Sequence, residues 1–242
     1  MSFESVMRAA REGDPDAQVA MGYLFYKGDG VVQDRREAAL WFGRAADQGN
    51  AEAMCNLGHM CAHGTGMEMD LERAMELYRM SADLGYARAM FNLGFMYSDV
   101  EGVEQDWSQA LHWYGRAAEA GNLMAYYRVG VIHEEGRGVP VDTDLAREIY
   151  ATCLSEGYAR AGYRLGMMHL EGRGVPADAD KAAGFMIKAA DLGSEDAMCV
   201  LGRMSLSGEG MVRSEKNARK WLMKAAARGS AEASEVLASM GR

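Results

Sequence analysis

One period governs this chain. Gly13, Gly49, Gly85, Gly121, Gly157, Gly193 and Gly229 stand 36 residues apart without a break, and so do Ala17, Ala53, Ala89, Ala125, Ala161, Ala197 and Ala233. Three further glycine columns share the period, starting at Gly22, Gly28 and Gly30; only the second is broken, by Val100. A fixed period of this size marks an architecture built by stacking one small unit. Such a unit cannot bury both its faces alone, so neighbours must share a core.

Each unit reads as two helices. In residues 14–49, Asp14 is a cap, Pro15 suits the first helical turn, and an apolar stripe follows through Ala17, Met21, Leu24 and Phe25. Gly28-Asp29-Gly30 ends that helix and supplies the turn. Asp34 caps a second helix, with Glu37 as a capping-box partner, and the capping column recurs as Asp70, Asp106, Asp142, Asp178 and Ser214. Ala38, Trp41, Phe42, Ala45 and Ala46 form the buried face, and Gly49 serves as a left-handed C-terminal cap. The small column of Gly22 and Ala38 lets paired helices approach closely. The large column of Trp41, Leu77, Trp113, Ile149, Phe185 and Trp221 fills the space that remains.

The frame gives a half-repeat at 1–13, full repeats at 14–49, 50–85, 86–121, 122–157, 158–193 and 194–229, and a capping helix at 230–242. That makes about fourteen helices in one domain spanning 1–242, with no linker. Two units depart from the rule. Val100 stands where a loop glycine is expected, which predicts a reshaped loop. Cys153-Leu154 replaces the usual small pair, which predicts looser or shifted packing there.

The unit Ala-x-x-x-Leu-Gly-x-Met-Tyr…Gly-x-Gly-Val-x-x-Asp…Ala-x-x-Trp-Tyr-x-x-Ala-Ala-x-x-Gly-Asn closely resembles the Sel-1-like repeat, a relative of the tetratricopeptide repeats. Residues 89–122 show the pattern well. The resemblance implies an all-α, right-handed superhelical solenoid of antiparallel helix pairs, with a concave face for protein or peptide partners. It also implies an adaptor or scaffold rather than an enzyme.

Composition narrows the function classes. Thirty-five acidic against twenty-six basic side chains leave a net charge of −9, which argues against a phosphate-backbone binder, so no nucleic acid is expected. No apolar run is long enough for membrane insertion, and the first residues do not read as a secretion signal. The four cysteines, Cys55, Cys61, Cys153 and Cys199, do not fall one in each helix of a unit. Some secreted relatives staple their helix pairs in that arrangement, so reduced thiols and a cytoplasmic location are expected here.

Candidate chemistry is sparse. The Gly-x-Gly pairs follow helices, not strands, and lack the residues that a phosphate cradle needs. Cys55, His59 and His63 lie four apart on one predicted helix, a spacing that can hold a metal, yet no fourth ligand is evident; no cofactor is expected. The Ser-x-x-Lys pattern of serine β-lactamases is absent, which weighs against the β-lactam activity ascribed to some relatives. His133 and His169 share a column with Phe25, Cys61 and Tyr97 and read as half-buried packing residues. Met60, Met96, Met168 and Met204 read as core, whereas Met54, Met90 and Met198 are candidates for an exposed, adaptable contact surface.

The informative stripe lies on the first helices, off the core columns. One column reads Ala20, Asn56, Asn92, Arg128, Arg164 and Val200; the next reads Tyr23, His59, Phe95, Val131, Met167 and Arg203. Its chemistry varies while the scaffold columns stay fixed, as recognition requires. Asn56, His59, Asn92, Phe95, Arg128, Arg164 and Arg203 are therefore the expected partner-binding residues. The asparagines would grip an extended peptide backbone, and the arginines would take a carboxylate. The bland reading is that these side chains pair with acids of neighbouring helices. A narrower form of the binding function is an inhibitor or immunity protein for a partner toxin.

Overall fold

The computed structural model describes residues 3–240; the outermost residues of the expected half-repeat and capping helix lie outside that range. The described residues form fourteen α-helices and no strand. The second helices of the repeats are α1 (Phe3–Arg11), α3 (Arg35–Asp47), α5 (Leu71–Asp83), α7 (Trp107–Glu119), α9 (Thr143–Ser155), α11 (Ala179–Asp191) and α13 (Glu215–Ala226). The first helices are α2 (Pro15–Lys27), α4 (Ala51–His63), α6 (Ala87–Asp99), α8 (Leu123–Glu135), α10 (Ala159–Glu171), α12 (Glu195–Ser207) and α14 (Ala231–Met240). They make two compact units, one up to Ala125 and one from Tyr126. In the first unit α2 packs on α3, α4 on α5 and α6 on α7, with α3·α4 and α5·α6 joining the pairs. In the second, α10 packs on α11 and α12 on α13, joined through α11·α12, with α14 covering α13.

The capping column works as the sequence predicts, but not as a capping box: the Asp34 N–H donates to the Phe25 carbonyl at 3.0 Å instead of to the Glu37 side chain. Asp34, Asp70, Asp106, Asp142, Asp178 and Ser214 each accept a backbone N–H from the first turn of the helix they precede. The backbone N–H of each also donates to a carbonyl near the end of the preceding helix, from Phe25 through Ser205, closing every loop identically. The Val100 loop closes this way too, through Asp106 N–H to the Tyr97 carbonyl at 2.9 Å. Its path is nonetheless reshaped. Val100 is extended (φ −94°, ψ 121°), whereas Gly28, Gly64, Gly172 and Gly208 cap their helices in the left-handed region that a β-branched residue avoids.

The glycine column at 22 has a more specific reason than close helix approach. A Cβ on Gly22 would fall 2.6 Å from the Phe42 ring, one on Gly94 2.6 Å from the Tyr114 ring, and one on Gly202 2.5 Å from Leu222. The glycines are sockets for the column Phe42, Tyr78, Tyr114, Tyr150, Met186 and Leu222, one residue beyond the column that the sequence reading chose as filler. Those knobs are almost wholly buried, whereas Phe185 and Trp221 of the expected filler column stay partly exposed.

The Cys153-Leu154 departure is compensated rather than loose. Cys153 is fully buried, and Leu154 Cδ1 lies over Gly162, 2.9 Å from where a Cβ there would stand. Other repeats carry a methionine in the Gly162 column, at Met54, Met90 and Met198. Those three methionines are core, at 5%, 4% and 2% exposure, which corrects their reading as a contact surface. The bulk that a small pair admits on one helix is, in the fourth pair, supplied from the other side.

Candidate functional site

The face of the first unit carried by α2, α4 and α6 holds a cleft of about 320 Å³, lined by Tyr23, Tyr26, Phe42, Asn56, His59, Met60, Arg88 and Asn92. Three of the expected binding residues, Asn56, His59 and Asn92, therefore meet at one site. The column spacing explains this, since positions 36 apart lie side by side on successive first helices. Phe95, the fourth expected residue of this unit, sits on α6 outside that lining and is 38% exposed.

Side chains knit the three helices together across the cleft. The Tyr23 hydroxyl donates to Glu52 Oε1 at 2.7 Å, and Asn56 Nδ2 donates to the Tyr23 oxygen at 2.9 Å. Arg88 donates through one terminal nitrogen to Asn56 Oδ1 and through Nε to Cys55 Sγ at 3.5 Å. Asn92 Nδ2 also reaches Cys55 Sγ, at 3.6 Å. The Arg88 guanidinium lies 5.5 Å from the centre of the Tyr86 ring. Burial pushes the Cys55 thiol up, and the Arg88 contact opposes that shift. Partial desolvation holds the His59 imidazole below its ordinary value, and the His63 ring and Arg88 charge push the same way.

Arg88 was not on the predicted stripe. Its column, Asp16, Glu52, Arg88, Met124, Arg160 and Asp196, lies one turn before the asparagine column on the same helix face. Extending the variable stripe one turn toward the helix N-termini would have found it.

The structure does not bring Cys55, His59 and His63 together as one group. Cys55 is fully buried against Arg88 and Asn92, whereas His59 and His63 stack on each other with centroids 4.2 Å apart. His63 Nδ1 is further engaged with the His59 carbonyl at 2.9 Å. Among the described residues no three His, Cys, Asp or Glu side chains are grouped to hold a metal ion.

In the second unit the expected arginines meet side chains of their own unit. Glu134 of α8 is a buried carboxylate whose side chain is 2% exposed. Arg164 donates to it at 3.2 Å and also to Glu135 at 3.2 Å, Arg173 donates to it at 2.5 Å, and the Tyr150 hydroxyl donates at 2.7 Å. Arg164 is thus a structural partner of neighbouring acids, the bland alternative for this stripe. The sequence signal for this network is Glu134 itself, a charge in a column otherwise filled by Tyr26, Ala62, Ser98, Leu170 and Leu206. Arg203 pairs with Glu232 at 2.8 Å on the surface. Arg128 is half-buried, and its charge acts on the Tyr158 hydroxyl. His169 is half-buried and stacked on Phe185 at 5.4 Å, as its column predicts. All four cysteines are free and buried.

The Sel1 repeat family model matches six stretches of the chain, residues 15–50, 51–86, 87–122, 123–151, 159–194 and 195–230. The chain belongs to the Sel1 repeat family. The one shortened Sel1 match stops at 151, just before the Cys153-Leu154 departure. Among solved structures, a Sel1 repeat protein from Oxalobacter formigenes is 31% identical with a TM-score of 0.81, over 93% of this chain and 88% of that one. The protective antigen c5321 of uropathogenic Escherichia coli, which displays the same repeat fold, is 27% identical with a TM-score of 0.84. The match covers 98% of this chain and 51% of c5321, so this chain spans about half of that antigen. The immunity protein PA5088 of Pseudomonas aeruginosa shares the fold at 22% identity and a TM-score of 0.58, over 90% of this chain and 82% of that one. A comparison with curated proteins finds no match. Sel1 repeat proteins generally mediate protein–protein interaction and are typically non-catalytic. No helix among the described residues is long and apolar enough to cross a membrane.

Proposed function

We propose that this Sel1 repeat protein is an adaptor that binds a protein or peptide partner through the first-helix face of its first unit, with the cleft at its centre and residues 1–242 acting as one module. The observation that carries this reading is the convergence of Asn56, His59 and Asn92 in one cleft beside Arg88. Amide groups that offer both a donor and an acceptor, next to a cation and apolar walls, suit a polypeptide segment. Arg164 leaves the proposed site because Glu134 and Glu135 occupy its guanidinium. Buried, unpaired thiols favour a reducing compartment, in keeping with a cytoplasmic role.

Site-specific photocrosslinking in the native host tests the reading. A photoreactive side chain at Phe95, exposed beside the cleft on α6, should capture a defined protein. The same probe at Leu40, 56% exposed on the second-helix side, should not. Capture from Leu40 alone would move the interface off this face. A toxin among the Phe95 adducts would support the narrower inhibitor or immunity reading, and other partners would oppose it.

A further inference from the structure

The net charge of −9 is not spread evenly along the chain. Residues 213–228 hold Arg213, Lys216, Arg219, Lys220, Lys224 and Arg228 against a single acid, Glu215. All of these cations are exposed. Four of them lie on α13, whose buried face is Ala218, Leu222 and Ala225. Helical spacing then sets Lys216, Lys220 and Lys224, four residues apart, on the outward face. Other second helices pair exposed cations with acids: Arg73 with Glu76, Arg147 with Asp144 and Lys181 with Asp178. On α13 Arg219 meets Glu215 at 3.7 Å, but among the described residues Lys216, Lys220 and Lys224 meet no carboxylate. Like charges four apart weaken a helix, so an anionic surface laid against this face relieves a repulsion built into α13.

The apolar residues decide which anionic surface fits. Met223, 59% exposed, stands among the lysines, and Val212, 87% exposed, precedes α13. One period earlier, Ile187-Lys188 of α11 repeats the pair Met223-Lys224, and Ile187 is 40% exposed. Lys224 Nζ lies 4.5 Å from the centre of the partly exposed Trp221 ring, and Lys188 Nζ lies 5.9 Å from that of Phe185. Leu154, Phe185 and Leu192 line a hollow of about 490 Å³ beside Lys188 and extend the apolar surface. A nucleic-acid backbone offers phosphates but no apolar layer for Met223 and Ile187. A protein interface gathers its apolar residues in a centre and leaves charges to the rim. Here each exposed apolar side chain of the pair stands next to a lysine. That arrangement suits a lipid surface, where aliphatic and Trp side chains enter the boundary between headgroups and acyl chains while lysines reach back to the phosphates. We propose that the outward face of α13, together with the matching Ile187-Lys188 of α11, docks peripherally on bilayers rich in anionic lipid. This face is distinct from the cleft on α2, α4 and α6, and docking there needs no spanning helix.

The test is sedimentation of the full chain with vesicles of phosphatidylcholine, alone or mixed with phosphatidylglycerol. The chain should bind the mixed vesicles, bind pure phosphatidylcholine roughly tenfold more weakly or worse, and leave the mixed vesicles as salt is raised. Replacing three lysines near an anionic bilayer together, as Lys216→Gln, Lys220→Gln and Lys224→Gln, should weaken binding roughly a hundredfold. All three side chains are exposed, so helicity by circular dichroism should not change. Arg35→Gln, Arg36→Gln and Arg44→Gln on α3 alter the net charge equally and should leave binding intact, which separates this face from overall charge. Met223→Ser should weaken binding severalfold and keep its salt dependence. Equal binding to both kinds of vesicle, binding to neither, or a triple lysine variant that binds like the unmutated chain would each overturn the proposal. Tighter binding to a short DNA duplex than to the mixed vesicles would also overturn it and give the face to nucleic acid. The comparison of vesicles on the unmutated chain decides this even if the triple variant does not fold. Phe95 crosslinking reads a different face, so neither outcome depends on the other.

Discussion

At the scale of single residues, two glycines that look alike in sequence behave differently. Gly94 faces the Tyr114 ring, whose hydroxyl lies 3.0 Å from Ser98 Oγ, so the ring has little room to yield. Gly115, also helical, has nothing within 4 Å of the place a Cβ would take. We expect Gly94→Ala to destabilise the protein, because overpacking costs about 1–3 kcal/mol while helix propensity returns about 1 kcal/mol. Gly115→Ala should be neutral or stabilising by up to about 1 kcal/mol, and denaturant melts of the pair check both signs. His59 gives a pH prediction. Its folded value is depressed, so the unfolded chain takes up the proton more readily, and stability attributable to this group falls as pH drops through the ordinary imidazole value of about 6.5. His59→Gln should flatten the melting-temperature profile over that range, and an unchanged profile would exclude the assignment. Asn56, His59 and Asn92, which line the cleft, were legible as candidates because their columns vary while their neighbours do not. Arg88 was not, since its role depends on which atoms its long side chain reaches on the helix before it.

At the scale of elements, caps and clamps can be separated by mutation. Asp106 accepts the Gln109 N–H at 3.0 Å, and α6 just before it lacks the left-handed glycine cap, so this junction rests on fewer devices than its counterparts. Asp106→Ala should cost about 1 kcal/mol and increase amide exchange in the first turn of α7, measurable by mass spectrometry. Arg164 tests a different kind of bond, between elements. Its removal leaves Glu134 to Arg173 and Tyr150, so Arg164→Ala should lower stability by about 1.5–3 kcal/mol, the range for a hydrogen bond to a charged group. Unchanged stability with weakened partner binding would return Arg164 to the interface. The helices themselves, their order and their caps were readable because they depend on neighbours a few residues away. The Glu134 network was not, because residues on α8, α9, α10 and the loop beyond supply it and only packing brings them together.

At the scale of the whole molecule, the cysteines offer one measurement that samples both units. Cys55, Cys61, Cys153 and Cys199 are 5% exposed or less, and burial pushes Cys153 and Cys199 up to about 11. Both effects slow thiol chemistry, so a maleimide reagent should label the native protein slowly and find four thiols after denaturation without reductant. Fewer than four would indicate disulfides and a different compartment. The sequence by itself determined the repeat length, the helix pairs, their caps and the family. These follow from a strict period and short-range backbone chemistry, in which each signal recurs in nearly every unit and the repeats confirm one another. Tertiary structure decided which large column fills the glycine sockets, that Met54, Met90 and Met198 are core, and that Gly162 makes room for Leu154. It also decided that Arg164 is bound to acids while Arg88 reaches Asn56 and Cys55. The physical reason is reach: a period tells which residues are equivalent, whereas the partner of a long or bulky side chain depends on the distance and angle between packed helices, which no column of letters specifies.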